Sequence, residues 1–190
     1  MTDTNTVART LHDAGLAAWF GGSLMGAIGL NGAAAEVDDA GQRARVANAG
    51  WSRWTPVNLA AIGAHVLGGG MLTWANKGRV SSQKGVAGTS GAKALTTLAA
   101  LGATGYARVL GQRVMKAGDV PVEGGTSPGP STPPDITNAQ KQLDMLQWII
   151  AGLTGVLIWL TAYMGEQQRP SVVATGLLGR LRMNVQELLR

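Results

Sequence analysis

The feature that most constrains this chain is an uncharged apolar run of 22 residues, Ala14 to Ala35. A bilayer core of roughly 30 Å is crossed by about 20 helical residues, so the run is read as a membrane span. The segment before it begins with an acid, and the run is longer than the 7–15-residue core of a secretory signal. It is therefore expected to be an uncleaved anchor. Three further stretches extend the pattern to spans at about 54–76, 93–112 and 145–165.

The second span carries Trp54 at one end and Trp74 at the other, where amphipathic rings favour the interface. Pro56 suits a first helical turn, whose N–H has no partner to lose. The third span is built of Ala, Gly and Thr, and it reaches its length only by taking in Arg108. The fourth is the most apolar, with Ile149, Ile150, Leu153, Leu157 and Leu160. Composition agrees: 14% of residues are charged, against about 25% in soluble domains. There are no cysteines, which removes disulfides and thiolate metal sites from consideration.

Between the spans lie three connections of different character. Residues 36–53 hold balanced charge and suggest a solvated turn with a short helix over 39–48. Residues 77–93 carry Lys77, Arg79, Lys84 and Lys93 with no acid, among many glycines and serines. Residues 117–138 are rich in proline and glycine and are expected to be extended and mobile. The tail, 169–190, places Leu177, Leu178, Leu181, Val185 and Leu188 on one helical face, opposite Arg180 and Glu187. With Arg182 it reads as a basic amphipathic helix. The expected architecture is thus all-α: an integral membrane four-helix bundle, 1–168, followed by a cytoplasmic amphipathic helix.

Charge also sets orientation. The side holding both termini and the 77–93 loop carries nine Lys/Arg and four acids, and the other side seven of each. Both termini are therefore expected in the cytoplasm of a multi-pass cell-membrane protein. The net charge of +5 flanks apolar spans, so anionic lipid head groups are the expected partner rather than nucleic acid. Lys77, Arg79, Lys84, Lys93, Arg180 and Arg182 are the candidate lipid-facing cations.

Small residues mark candidate packing surfaces. Gly22 and Gly26 form a GxxxG with Gly29 on much the same stripe, Gly68, Gly69 and Gly70 notch the second span, and Gly102 and Gly105 the third. Such faces let helix backbones approach closely in lipid. They are expected to pack within the chain, or against other membrane subunits or a second copy.

Two histidines complete the candidate list. His65 lies near the middle of the second span, where an ionisable group is costly and suspect. A bland hydrogen-bonded role, a haem or metal ligand and a proton or solute relay all remain open for it. His12 stands at the edge of the first span. Followed by Trp19 and Gly21, it resembles the H-x6-W-x-G pattern in the first helix of small four-helix membrane families. These are the copper-resistance-D-like proteins and the haem-containing membrane protoporphyrinogen oxidases. The resemblance implies a haem b or copper site using His12, with Trp19 and Gly21 as packing positions. Depth argues against a shared iron: eleven residues at about 1.5 Å each put His65 roughly 16 Å inside, whereas His12 is expected near the surface.

No phosphate-binding loop, H-E-x-x-H, G-x-S-x-G or intramembrane carboxylate pair is present. The leading expectation is a non-enzymatic accessory or structural membrane component needing no cofactor. The alternatives are a haem- or copper-handling redox protein using His12, His65 or both, and a small-solute or ion transporter centred on His65.

Overall fold

The computed structural model describes residues 5–78 and 85–167. Within them the fold is all-helical. Helix α1 (Thr6–Met25) runs through a π-helical turn (Gly26–Leu30) into the short α2 (Asn31–Ala35), forming one rod. Three long helices follow: α3 (Ala40–Ala75), α4 (Val86–Lys116) and α5 (Pro134–Glu166). Two of them, α3 and α5, are long and apolar enough to cross a membrane. The 169–190 tail expected as an amphipathic helix lies outside the described residues, as do Arg79 and Lys84.

The helices start well before the uncharged runs do. The short helix expected over 39–48 is continuous with the second span, so α3 is 36 residues long. Its N-terminus is set by Asp39, whose carboxylate accepts from the N–H groups of Gly41 (2.8 Å) and Gln42 (3.1 Å). Such a cap replaces two of the partners a helix start lacks. Pro56 is consequently interior to α3 and not in its first turn.

The rod α1–α2 and helix α3 form one antiparallel hairpin, and α4 and α5 a second. The hairpins meet mainly where α1 lies on α5, while α3 and α4 touch little. The α1–α3 seam has a period of 3.5. On α1 it runs Ala8, His12, Gly15, Trp19, Gly22, Gly26, and on α3 it runs Trp51, Trp54, Asn58, Ala61, His65, Gly68. Alternating steps of four and three keep one edge facing a partner along the whole helix.

Large residues of one edge fill glycine notches of the other. The Trp54 ring occupies the space a Cβ on Gly22 would need, and Trp51 does the same at Gly26. Both tryptophans thus face α1, Trp54 in place of the membrane interface expected for it. The outward aromatic rings among the described residues include Trp74, Tyr106, Trp148, Trp159 and Tyr163. Two apolar clusters fill the centre. One joins Leu16 and Trp19 of α1 to Ala100, Ile150 and Leu157. The other joins Leu110 and Val114 to Ile136, Ala139 and Leu146.

Residues 117–133, expected to be extended and mobile, instead fold into a cap over one end. Val122 is 2% exposed and pairs with Pro128 in an isolated antiparallel bridge. Its N–H donates to the carbonyl of Ala40 (3.3 Å). The buried amide of Gln140 donates to the carbonyls of Gly124 (3.2 Å) and Gly125 (3.3 Å). Proline and glycine here shape a compact turn, because side chains from α5 supply partners for its backbone.

Beneath the cap sits Asn31. Its amide donates to Gln147 (2.8 Å) and its carbonyl accepts from the Trp51 indole (3.0 Å). Gln147 in turn donates to Asp144 (2.9 Å), which also accepts from Thr126 (3.1 Å). This network buries Asn31 to 7% exposure.

Candidate functional site

At the end of the bundle opposite the cap, the two histidines lie against each other. Their ring centroids are 4.3 Å apart at an interplanar angle of 41°. His12 is 1% and His65 2% exposed. The expectation that they lie at different depths is corrected, for a clear reason. Helix α1 begins at Thr6, so His12 is nearly two turns inside it and level with His65, ten residues before the end of α3.

Glycines permit this approach. A Cβ on Gly15 would collide with the carbonyl of Ala61 and stand 2.6 Å from the His65 nitrogen. One on Gly68 would stand 2.5 Å from both the Ala8 carbonyl and the His12 nitrogen. Each histidine is thus faced by a glycine of the opposite helix, and Gly15, absent from the expected packing set, is central to the contact. Its signal was present in the sequence: Gly15 lies three residues after His12 and seven before Gly22, on the same 3.5-period stripe.

The remaining candidate glycines divide. A Cβ on Gly69 would stand 3.3 Å from Cδ2 of the His12 ring. At Gly29 a Cβ would meet only the side chain of Met25, and at Gly70, Gly102 and Gly105 it would meet nothing within 4 Å. At these four no residue of another helix lies within 4 Å of the Cβ position among the described residues. Trp19 closes the site above the histidines: its ring centroid is 6.1 Å from that of His65, and its indole donates to Thr104 (3.2 Å).

Hydrogen bonding assigns the protons on both rings. His65 Nδ1 lies 3.1 Å from the His12 carbonyl, which only accepts, so Nδ1 carries the proton and Nε2 is an acceptor. His12 Nδ1 lies 2.6 Å from the Asp13 carboxylate, which places its proton there too. His12 Nε2 is then a buried acceptor with no partner.

The pair forms one wall of a cavity of about 380 Å³. It lies where α3 and α4 part, with α1 and the end of α5 closing it. Arg9, Asp13, Lys93, Thr97, Thr161 and Gln167 supply polar groups, while Val66, Leu72, Leu98, Leu101 and Met164 supply apolar surface. Lys93, expected at a head-group surface, is half-buried in this cavity. Lys77 does lie outward, with its ammonium 4.4 Å from the Trp74 ring centroid.

The arrangement was tested against the haem that the first-helix resemblance implies. Two axial ligands at metal–nitrogen distances of about 2 Å would hold their ring centroids at least roughly 6 Å apart, with the porphyrin between them. Rings at 4.3 Å leave no space for that plane. The pair as arranged does not fit a shared iron. Among the described residues no group of three or more His, Asp or Glu side chains is placed to hold a metal ion. The arrangement can instead offer a polar guest two cations, a carboxylate and an imidazole acceptor inside an otherwise apolar cleft. No family model, curated protein or solved structure matches the chain.

Proposed function

We propose that this chain is a four-span integral membrane protein that binds a small polar or charged solute in the cavity beside His12 and His65. It would act as a carrier or transporter of that solute, without chemical conversion. The observation that carries this reading is the cavity itself. Buried ionisable groups within a membrane bundle are expensive and typically mark pathways for ions or solutes.

Two facts support the membrane placement. The helices expose large apolar side chains along most of their length, including Ile28, Leu59, Leu67, Leu95, Leu98 and Ile158. Charge asymmetry supports a cavity in the cytoplasmic half, with both termini on that side.

The chain lacks cysteine, which makes thiol labelling a clean test. Thr97→Cys, in the cavity, is expected to react with a membrane-impermeant maleimide from the cytoplasmic face. Leu110→Cys, at 1% exposure in the core, is expected to remain unlabelled. Failure of Thr97→Cys to react from either face would overturn the reading.

A second reading, an accessory subunit docking in the membrane, is favoured by one observation. Gly88, Gly91, Gly102, Gly105 and Gly111 of α4 all face open space, and small residues are what neighbouring membrane helices use for close contact. Gly102→Leu would then abolish co-purification of a partner while leaving the bundle folded. An unchanged set of co-purifying proteins would sink this reading.

A further inference from the structure

The two fixed charges of the cavity cancel but do not meet. Lys93 on α4 and Asp13 on α1 both line it, yet among the described residues they form no ion pair with each other. The Asp13 carboxylate is engaged instead by His12 Nδ1 at 2.6 Å. Arg9 is exposed at the rim and has a partner of its own, so it does not enter the balance inside. Lys93 is half-buried, where an ammonium without a counter-charge in contact is costly. The cavity is neutral as a whole and polarised from one wall to the other.

Hydrogen bonding follows the same polarity. The α1–α3 wall offers acceptors: the Asp13 carboxylate, and Nε2 of His65, a residue 2% exposed whose Nδ1 proton is committed to the His12 carbonyl. That Nε2 has no donor among the described residues. The α4 wall offers donors: the Lys93 ammonium and, one turn earlier on the same face, the Ser90 hydroxyl. We propose that the cavity binds a zwitterion, a net-neutral guest with its primary ammonium toward Asp13 and His65 and its anionic oxygens toward Lys93. The inference rests on the solute-binding reading above and specifies the solute. Charge alone does not suffice, because a buried acceptor without a partner calls for an N–H or O–H. A quaternary ammonium carries the same charge and cannot donate to His65 Nε2. A free α-amino acid has both groups required, and so does the phosphoethanolamine head of a lipid.

The geometry accommodates either source. The α3–α4 seam is the loosely packed side of the bundle, and the apolar residues Val66 and Leu98 on its two flanks are 43% and 64% exposed. A lipid would enter through that seam with its chain against them, and a free amino acid would enter from the aqueous end near Gln167.

The test uses the full chain in nanodiscs of pure phosphatidylcholine, whose quaternary head lacks an N–H, with two probes. In one arm L-leucine is titrated by calorimetry, its side chain suited to the apolar lining. In the other, trace phosphatidylethanolamine is added and bound lipid is counted by native mass spectrometry. Variants are Lys93→Gln and Asp13→Asn, with Lys77→Gln as a control that removes one cation outside the cavity. Saturable binding of either probe is expected to weaken about tenfold or more in each cavity variant, as loss of a charged hydrogen-bonding partner entails, and to be unchanged in Lys77→Gln. Which probe binds identifies the source. In the free-solute case isocaproate, leucinol and trimethylleucine, which lack the ammonium, the carboxylate and the N–H respectively, are each expected to bind about tenfold or more weakly than L-leucine.

Binding of neither probe, equal weakening by the two lysine variants, or trimethylleucine binding as tightly as L-leucine would overturn the proposal. Thiol labelling of Thr97→Cys in the same nanodiscs separates the two levels. A labelled cavity that binds neither probe refutes only the zwitterion assignment. An unreactive cavity refutes the solute-binding reading beneath it.

Discussion

The glycine notches make a strong prediction because the atoms that fill them are backbone. In Gly68→Ala the new Cβ would stand 2.5 Å from the Ala8 carbonyl oxygen and from the His12 nitrogen. Ordinary contact would need about 1 Å more, and a backbone cannot rotate aside as a side chain can. Helices α1 and α3 must therefore separate by about 1 Å at the level of the histidines. Overpacking of this kind costs about 1–3 kcal/mol. Alanine returns up to about 1 kcal/mol of helix propensity, so the net loss alone would understate the clash. The contrast with an unhindered glycine is the proper measure. Gly70→Ala meets nothing within 4 Å and gains the propensity term without the clash. With about 2–4 °C of melting temperature per kcal/mol for a chain of this size, Gly68→Ala should melt roughly 2–12 °C below Gly70→Ala. Gly15→Ala should behave like Gly68→Ala. The double variant should lose less than the sum, since helices already parted by one methyl accommodate the second. The assay is thermal unfolding in detergent micelles followed by tryptophan fluorescence. If Gly15→Ala and Gly68→Ala melt together with Gly70→Ala, the close backbone approach is refuted, and the histidine contact with it.

Further outcomes follow from the opposite end of the bundle. Asn31→Leu leaves the Trp51 indole and the Gln147 carbonyl without their partner in a buried setting, which should cost about 1–3 kcal/mol in chemical unfolding; Gln42→Leu, at an exposed position of α3, should cost far less. Gln140→Ala removes the donor to the Gly124 and Gly125 carbonyls, so limited proteolysis should cut within 117–133 at least several-fold faster than in the parent chain; equal rates would mean that the cap does not depend on Gln140. Arg45 hydrogen-bonds Asp119, holding the Asp119 carboxyl below its ordinary value and raising the guanidinium further. The folded state therefore gains from this pair above the unfolded aspartate value of about 3.9, and loses the gain as pH falls through the lower folded value. Carboxyl NMR should show Asp119 titrating at higher pH in Arg45→Gln, and an unchanged titration would remove Arg45 as the cause.

How much of this was legible in the sequence depends on what kind of signal each part leaves. Four helical segments could be read from apolar runs, because burial of a helix face or exposure to lipid both demand apolar side chains. Helix starts could not be read that way. Charge-free length marks where a membrane core begins, whereas a helix begins where caps and packing allow. Thus α1 reaches back to Thr6 through Arg9 and Asp13, and α3 reaches back to Ala40 through Arg43, Arg45 and Arg53. The cap over 117–133 was illegible for a different reason. Proline and glycine exclude long helix, but whether such a segment is loose depends on donors and acceptors elsewhere, here Gln140 and the Ala40 carbonyl. Asn31 shows the same dependence, since its two partners are 20 and 116 residues away in sequence.

The candidate site illustrates why register matters more than residue type. Both histidines were evident as candidates, and their separation in depth seemed to divide them. That inference assumed that the uncharged run of α1 begins level with the cytoplasmic end of α3. The glycines decide otherwise. Sliding α1 outward by one heptad would take Gly15 away from Ala61 and His65 and put a larger side chain, Ala8, against them. At the same time the Gly68 notch would lose His12. Only one register places a glycine opposite each histidine on both helices while also seating Trp54 at Gly22 and Trp51 at Gly26. Four large-against-small matches along one 3.5-period seam fix α1 against α3. That register buries His12 in the bundle and sets the exposed Arg9 and Asp13 at the rim of the cavity. The polar cavity is therefore a consequence of helix packing at the seam.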